Sequence, residues 1–516
     1  MQRTHRLLQG GSRLCRRRFS TNVGLHSTVV SRDQQQQSPP PEGPLAGKHI
    51  GVKANIVAGT PHAASKTLSN FQTPHTATVV DLLTGAGATT QHGQNMDEFG
   101  MGSHSQFSNH GPVKSSFSRA GTSLSPGGSS GGSAISVATG ECWAAIGTDT
   151  GGSVRLPAAY TGVVGFKPSY GRISRWGVIQ YANSLDTVGV MARSVADVRR
   201  VFGVVDRWDW RDGTSLKDGL RERMSSSGKG KSLRIGVPAE YNVAEVSPVV
   251  REVYTRTLQA LQAAGHILVP VSLPTTREAL SAYYVLAPAE ASSNLAKYDG
   301  IRYGHRTSTS DASPNADPPL PLYAQTRGEG FGPEVKRRIL LGAYTLSSEA
   351  MDNYFIQAQK VRRLVQQDFD RVFYKENPLL SAEAKCDDEE AVDLLLTPTA
   401  PTLPPTIVEL EEQTSLESYM NDVFTVPASL AGLPAISIPI ALTAEQRDGM
   451  EETDVRSVGM QLIGQFGDDN AVLSAAELLE KLSLLILNHV PVPLSSHQGA
   501  ESATRVSKSR FRRCDV

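Results

Sequence analysis

The chain has 516 residues, with 51 Lys and Arg against 51 Asp and Glu, and therefore a formal net charge of zero. This length fits one large α/β domain with insertions, or two domains. The net charge of zero argues against a protein that binds nucleic acid through its overall charge. Four scattered cysteines without a CxxC pair argue against a disulfide framework and a cysteine-based zinc site, and no apolar run reaches the roughly 18 residues that a membrane span needs.

The first 32 residues carry seven Arg and no acid, the first acidic residue being Asp33. An Arg-rich, acid-free start that contains Ser and Thr is typical of a mitochondrial transit peptide, which we place at residues 1–20; a disordered basic arm is the alternative. Runs of Gln and Pro predict a low-complexity linker over 21–42. We expect the folded part over 43–490, a basic and disordered tail over 491–516, and a location in the mitochondrial matrix.

Apolar patterns in the first third of the chain predict two strands and two helices. Gly residues that follow the helical patterns mark where those helices end. In chain order, the predicted elements are a strand over 49–52 that ends at Lys53, a helix over 76–84, a helix over 135–138 that stops at Gly140, and a strand over 142–148 that leads into the loop 149–153.

The remainder alternates strand and helix patterns, which favours an α/β fold. Strands are predicted over 233–237, 267–271, 394–396, 435–440 and 460–463, and helices over 248–264 and 471–487. Three further segments, 205–232, 305–322 and 375–391, are predicted as surface insertions.

Two Gly-rich loops are candidates for catalysis. Residues 115–133 hold 8 Ser and 5 Gly and include a GxSxG match at Gly128, which is weak evidence for a nucleophile because such a run also describes a flexible linker. Downstream, Gly151 and Gly152 let successive N–H groups converge on one point, which suits an oxyanion hole beside Ser153; a simple tight turn is the alternative.

A nucleophilic serine needs a base, and no His is singled out by its context. The sequence contains no HExxH motif and no phosphate-binding GxxxxGK[ST] loop. Lys can serve as the base when burial keeps it neutral, and Lys53 ends an apolar strand. An ordinary Lys at a strand end is the alternative interpretation.

Together, Lys53, the GGSSGGS loop and the GTDTGGSVRLPA segment resemble the amidase signature family over residues 43–487. The resemblance implies an α/β fold with a central mixed β-sheet flanked by helices on both faces. It also implies a Ser-cisSer-Lys triad and a backbone oxyanion hole. The matching positions are Ser153 as nucleophile, Ser129 as bridging serine, Lys53 as base, and the N–H groups of Thr150, Gly151 and Gly152 as oxyanion donors.

Additional motifs resemble one group within that family, the glutaminase (A) subunits of glutamyl-tRNA(Gln) amidotransferases. These motifs are NMDEF at 95–99, YGRISR at 170–175, SLD at 184–186, EVKRRI at 334–339 and NDVFT at 421–425. The resemblance implies glutamine as donor, with ammonia passed to a partner that amidates Glu-tRNA(Gln). It further implies a heterotrimer that contains a small third subunit in addition to a B subunit, ATP and Mg at the partner, tRNA held mainly there, and no cofactor or metal in this chain.

The same group holds the donor's carboxylate with an Arg and its ammonium with an Asp, and the matches are Arg338 and Asp422. Because 336–338 reads Lys-Arg-Arg, Arg337 is a near rival for the first role; a solvated helix face is the alternative for both. Tyr283, or its neighbour Tyr284, is expected to line the pocket.

The chain departs from the family pattern in three places. Ala54 replaces an Asp that usually follows the catalytic Lys, His104 and Gln106 stand where other residues are usual, and only about ten ordered-looking residues precede Lys53. The main alternative function is a stand-alone amidase for a small or fatty amide, which would need an apolar pocket in place of Arg338 and Asp422. A non-catalytic scaffold is a third hypothesis, which the complete triad disfavours.

Overall fold

The computed structural model describes residues 42–224, 232–308, 321–380, 390–450 and 452–487. The predicted transit peptide, all but the last residue of the predicted linker, and the predicted tail lie outside these ranges. In the described ranges, no helix is both long and apolar enough to cross a membrane.

Ten strands form one mixed sheet in the order β2-β1-β5-β7-β6-β11-β12-β10-β8-β9, and β3 pairs with β4 separately. The strand pairs at the two ends of the sheet are parallel, and those in the middle are antiparallel. The strands are β1 His49–Lys53, β2 Thr89–Gln94, β3 Ser118–Arg119, β4 Thr122–Ser123, β5 Ala144–Asp149, β6 Val164–Lys167, β7 Thr187–Ala192, β8 Arg234–Pro238, β9 Ile267–Val271, β10 Leu394–Pro398, β11 Ala435–Ala441 and β12 Ser457–Gly464.

Helices connect these strands, and both long helices expected in the second half are present. The helices are α1 Thr78–Gly85, α2 Gly131–Thr139, α3 Arg155–Thr161, α4 Val195–Val205, α5 Asp218–Met224, α6 Pro248–Ala263, α7 Thr276–Asn294, α8 Ala324–Gly330, α9 Pro333–Thr345, α10 Phe355–Val372, α11 Ile407–Glu412, α12 Ser415–Met420, α13 Val426–Leu430, α14 Ala444–Asp448 and α15 Asp469–Leu487.

Two glycines of β12 show that helices cover both faces of the sheet. A Cβ added to Gly459 would lie 2.4 Å from Ala159 of α3, and one added to Gly464 would lie 2.5 Å from Val472 of α15. Residues five apart on a strand point to opposite faces, so α3 and α15 pack on opposite sides. The predicted mixed sheet with helices on both faces is confirmed.

The Ser- and Gly-rich segment ends in packed structure, and the flexible-linker interpretation is wrong for that end. Helix α2 begins at Gly131, four residues before the predicted start, and its first seven residues are buried. A Cβ on Gly132 would lie 2.4 Å from the carbonyl oxygen of Asn95. Close packing therefore requires a glycine here, and chain flexibility is not its purpose.

One of the three predicted insertions is packed against the domain in its described part. Arg221 of α5 is buried, and its guanidinium donates to the carbonyl oxygens of Gly171 and Arg172 and pairs with Asp206. The described part of the predicted insertion 205–232 therefore lies at the surface, as Trp210 with 78% exposure shows, but it is packed onto the domain through Arg221 and Met224. Most of the other two segments, 309–320 and 381–389, lies outside the described residues.

Candidate active site

Lys53, the last residue of β1, is fully buried and lies against the Ser-rich loop. Its Nζ is 2.7 Å from Ser129 Oγ and 3.0 Å from Thr148 Oγ1, with the Thr148 carbonyl oxygen at 3.4 Å. Asn55 also donates to Thr148 Oγ1, at 3.1 Å. The strand end therefore aims the lysine at one serine, with Thr148 holding it from the neighbouring strand β5.

The environment of Lys53 favours the neutral amine. Burial lowers the pKa of Lys53 to about 7, against the charges of Asp97, Asp149 and Asp186, which raise it. At neutral pH a substantial fraction therefore carries the lone pair that a base needs. Ala54, the residue after the strand, is buried and packs with Ala64 and Met96.

Ser129 is held in a tightly packed turn with a cis peptide bond between Gly128 and Ser129. The backbone N–H of Asp97 donates to the Ser129 carbonyl oxygen at 3.3 Å. A Cβ on Gly128 would lie 2.4 Å from the Asp97 carboxylate, and one on Gly127 would lie 2.7 Å from Pro157. The glycines allow the turn to approach its neighbours closely enough to fix the Ser129 hydroxyl.

The loop that carries Ser153 lies beside this turn. The N–H of Ser130 donates to the Ser153 carbonyl oxygen at 3.2 Å, and Ser153 is 9% exposed, whereas Lys53 is fully buried. Within the described ranges, no hydrogen bond uses the backbone N–H of Thr150, Gly151 or Gly152. These three donors therefore remain available to a developing oxyanion.

A buried ion pair that the sequence patterns did not predict braces the Ser153 loop. Arg155 donates to both carboxylate oxygens of Asp149, at 3.0 and 2.8 Å, and both side chains are fully buried. Its other N–H groups reach the Thr425 carbonyl oxygen, Gln461 Oε1 and Ser429 Oγ. Burial raises the pKa of Asp149, but the charge and hydrogen bonds of Arg155 hold it below its usual value.

We expect Arg155→Met to lower the free energy of unfolding by about 3–5 kcal/mol, because Asp149 would remain buried without its cation. Urea denaturation measures the change. Arg199→Met is the control, since the Arg199–Glu477 pair is about one-third exposed on each side and should contribute less than about 1 kcal/mol. Equal losses in the two variants would contradict a structural role for the buried pair.

Arg338 of α9 faces inward, and Arg337 faces outward. The guanidinium of Arg338 donates to Glu334 at 2.8 Å and to the Tyr181 hydroxyl at 2.6 Å, and the side chain is 5% exposed. It also lies 5.5 Å from the centre of the Tyr284 ring. The side chain of Arg337 is 52% exposed. Of the two candidates for the donor carboxylate, the structure therefore brings Arg338 into the interior.

Asp422 lies between this arginine and the Ser153 loop. Its Oδ2 accepts hydrogen bonds from Ser103 at 2.7 Å and from the Tyr284 hydroxyl at 3.3 Å. Burial raises the pKa of Asp422 to about 6, against the hydrogen bond from Ser103 and the charge of Arg338. A Cβ added to Gly152 would lie 3.3 Å from Asp422 Oδ1, so the carboxylate adjoins the Ser153 loop.

Both candidate tyrosines lie at this pocket, with different contacts. Tyr283 is buried, and its hydroxyl would lie 2.7 Å from a Cβ on Gly151, so its ring packs against the Ser153 loop. Tyr284 contacts Arg338 and Asp422 instead. Sequence reasoning could not divide these roles, because the two tyrosines are adjacent on α7 and both contact residues of the candidate site.

The side chain of Thr150 makes one more hydrogen bond that holds the Ser153 loop in place. Thr150 Oγ1 donates to Asp186 at 2.8 Å, and Asp186 also accepts from the N–H groups of Tyr181 and Ala182. Asp186 lies in the SLD motif, to which the sequence alone gave no role. In the described part of the chain, no three His, Cys, Asp or Glu side chains are grouped to hold a metal ion.

Comparison with known proteins gives concordant matches. The profile of the amidase family matches residues 29–473. The chain is 53% identical over 473 residues to the mitochondrial glutamyl-tRNA(Gln) amidotransferase A subunit of Coccidioides posadasii, covering 88% of this chain and 93% of that one. The same subunit of Ajellomyces capsulatus is 52% identical over 483 residues, covering 88% and 92%.

Solved structures give the same picture. The crystal structure of the glutamyl-tRNA(Gln) amidotransferase A subunit from Thermotoga maritima matches with a TM-score of 0.67 and 32% identity, covering 88% of this chain and 87% of that one. A 6-aminohexanoate cyclic dimer hydrolase matches with a TM-score of 0.66 at 22% identity, covering 86% of each chain, and that likeness concerns the fold alone.

Proposed function

The chain belongs to the amidase family, within the group of mitochondrial glutamyl-tRNA(Gln) amidotransferase A subunits, and from this premise we propose that it hydrolyses glutamine and supplies the ammonia to a partner subunit. The observation that carries the proposal is the 2.7 Å contact between Lys53 and Ser129, which is buried beside the Ser153 loop and close to the side chains of Arg338 and Asp422.

The first half of the reaction forms an acyl-enzyme. Ser153 Oγ attacks the side-chain amide carbonyl of glutamine, and its proton passes through the Ser129 hydroxyl to neutral Lys53. Negative charge develops on the carbonyl oxygen, where the N–H groups of 150–152 stabilise it. Collapse of the tetrahedral intermediate breaks the C–N bond, and Ser129 passes a proton to the leaving nitrogen, which departs as ammonia.

The second half releases glutamate. Water attacks the ester that links the glutamyl group to Ser153, and the same Lys53–Ser129 pair takes its proton. Ser153 Oγ is then reprotonated, and the triad returns to its starting state. Because Lys53 alternately accepts and returns one proton, a pKa of about 7 suits both directions.

The charged pocket accounts for the choice of glutamine over simple amides. No hydrogen bond among the described residues uses Nη2 of Arg338, which leaves that donor for the α-carboxylate of glutamine. Asp422 offers a carboxylate for the α-ammonium. An aliphatic amide would supply no carboxylate for Nη2 of Arg338 and no ammonium for the buried Asp422, which disfavours the stand-alone amidase hypothesis.

The relationship to these A subunits implies that the chain works within a multi-subunit complex in mitochondria. We propose that the complex lies in the matrix and contains a small third subunit in addition to a B subunit. ATP and Mg would act at the partner, which would hold Glu-tRNA(Gln) and convert it to Gln-tRNA(Gln). This chain would contribute the glutaminase reaction without a cofactor of its own.

The decisive experiment compares hydrolysis of glutamine with that of propanamide and hexanamide, using the purified chain with and without its partner subunits. We expect glutamine to be preferred and its hydrolysis to respond to the partners. Equal hydrolysis of the aliphatic amides by the chain alone, with no response to partners, would overturn the proposal in favour of a stand-alone amidase.

Arg338→Met should lower kcat/KM for glutamine by roughly 10- to 150-fold, because a hydrogen bond to a charged group contributes about 1.5–3 kcal/mol. The matched control is Arg337→Met on the exposed side of the same helix, which should change kcat/KM less than twofold. A second substrate, 4-aminobutanamide, lacks the carboxylate and should be hydrolysed equally by the wild type and the Arg338 variant. Equal effects of the two variants on glutamine would show that the carboxylate binds elsewhere.

A further inference from the structure

His104 is a buried histidine, 5% exposed, that takes no part in the steps above. Its ring lies nearly parallel to that of Tyr160, with centroids 6.4 Å apart. It occupies one of the positions at which the sequence departs from the family pattern. Both ring nitrogens have hydrogen-bond partners, and these partners belong to two different parts of the active site.

One ring nitrogen contacts the segment that leads into the Ser129 turn. His104 Nδ1 is 2.9 Å from Ser125 Oγ, which also accepts the N–H of Gly127 at 3.1 Å. Gly127 lies two residues before Ser129, at the start of the turn that carries the bridging serine. His104 is therefore anchored to the base of that turn.

The other nitrogen contacts the segment that binds the donor. His104 Nε2 is 3.0 Å from Nδ2 of Asn421, the residue before Asp422. Ser103, the residue before His104, donates to Asp422 Oδ2 at 2.7 Å. Two consecutive residues of one loop thus hold two consecutive residues of the other, which fixes both the position and the orientation of the Asp422 carboxylate.

The hydrogen-bond pattern determines the protonation of the ring. The Tyr160 hydroxyl donates to Asn421 Oδ1 at 3.2 Å, so the Asn421 amide presents its N–H to His104. An amide N–H can only donate, so Nε2 of His104 must carry no proton and Nδ1–H donates to Ser125. Burial lowers the pKa of His104 to about 4, which keeps the ring neutral.

We propose that His104 is a positioning residue that holds Asp422 at a fixed distance from the Ser129 turn, so that the donor's α-ammonium is bound while its amide reaches Ser153. This inference rests on the proposed glutaminase function. It differs from a packing role, because packing needs only the shape of the ring, whereas positioning needs one donor and one acceptor at set places.

The test separates shape from hydrogen bonding in the complete complex. His104→Phe keeps an aromatic ring and removes both hydrogen bonds, and His104→Gln replaces the ring with an amide that can both donate and accept a hydrogen bond. We expect His104→Phe to raise KM for glutamine roughly three- to tenfold, as the loss of a hydrogen bond predicts, with kcat within twofold. His104→Gln should restore KM to within about twofold of the wild type.

Glutaramate, which is glutamine without its α-amino group, locates the effect. Because it cannot use Asp422, its KM should be the same in the wild type and in His104→Phe. The control is His266→Phe, which alters a buried histidine that accepts a hydrogen bond from the N–H of Leu233 beside strands β8 and β9. It should leave KM for both substrates unchanged.

An unchanged KM for glutamine in His104→Phe, or an equal loss with glutaramate, would overturn the positioning role and leave the glutaminase proposal intact. A wild-type complex that does not hydrolyse glutamine would overturn both. Should His104→Phe fail to fold, Ser125→Ala removes the acceptor of the Nδ1–H bond with less disturbance. It should then raise KM for glutamine but not for glutaramate.

Discussion

Ser153→Ala should reduce glutamine hydrolysis by about four to six orders of magnitude and leave ammonia-dependent amidation by the complex unchanged. The reduction is that expected when the nucleophile of a triad is removed and only the oxyanion donors and binding contacts remain. Amidation from added ammonium should survive, because free ammonia bypasses the step that needs Ser153. Both activities can be measured on one preparation of the complex, with glutamine and with ammonium chloride.

The matched control is Ser136→Ala in α2, which removes a buried hydroxyl that donates to the Ser133 carbonyl oxygen within the helix. It should leave both activities within about twofold of the wild type. If Ser153→Ala retains glutamine-dependent amidation, then Ser153 is not the nucleophile. If it loses amidation from ammonium as well, the substitution has damaged the complex.

The fold could be predicted where local patterns reflect what each element packs against. Strand β9 matches its predicted limits, and α6 begins at the predicted Pro248, because these elements carry ordinary apolar periodicity and clear boundary residues. Helix α2 begins four residues earlier than its pattern predicts. Its first turn is Gly131-Gly132, which propensity disfavours, and tertiary packing against Asn95 overrides that preference.

The candidate site could likewise be predicted only in part. Sequence motifs identify Lys53, Ser129 and Ser153, whereas the roles of Thr148 and the Asp149–Arg155 pair depend on contacts between strands and loops that are distant in sequence. The match to the family motif favours Arg338 over Arg337, but helical periodicity alone does not distinguish them, because it does not say which side faces a pocket built by α7 and the 421–425 segment. His104 was visible in the sequence only as a departure from the pattern.

Replacing Lys53 with Met should reduce glutamine hydrolysis by about four orders of magnitude, because the base would be lost while the shape of the site is kept. In the wild type, kcat/KM should rise with pH through an apparent pKa near 7, since burial lowers the pKa of Lys53 to about 7 and only the neutral amine accepts a proton. Lys167→Met is the control. Lys167 is also buried, with its pKa lowered to about 7 by burial, but its Nζ donates to the Pro168 carbonyl oxygen, outside the triad.

The two lysines also predict the pH dependence of stability. Each has a pKa of about 7 in the folded chain against the ordinary lysine value of 10.5, so between these values the unfolded chain binds more protons. The free energy of unfolding should therefore rise with pH above 7, by at most about 1.4 kcal/mol per pH unit for each lysine. Burial raises the pKa of Asp97 to about 7, so its contribution makes the free energy of unfolding fall as pH rises, mainly below pH 7.

Urea denaturation at pH 7, 8 and 9 should consequently show a smaller slope with pH in both Lys→Met variants, whereas only Lys53→Met loses activity. An unchanged slope in Lys53→Met would mean that Lys53 is charged in the folded chain. It would then need to lose its proton in the Michaelis complex before it could act as a base. The stability slope and the pH profile of kcat/KM thus report the same proton on Lys53 of the free enzyme, once through folding and once through catalysis.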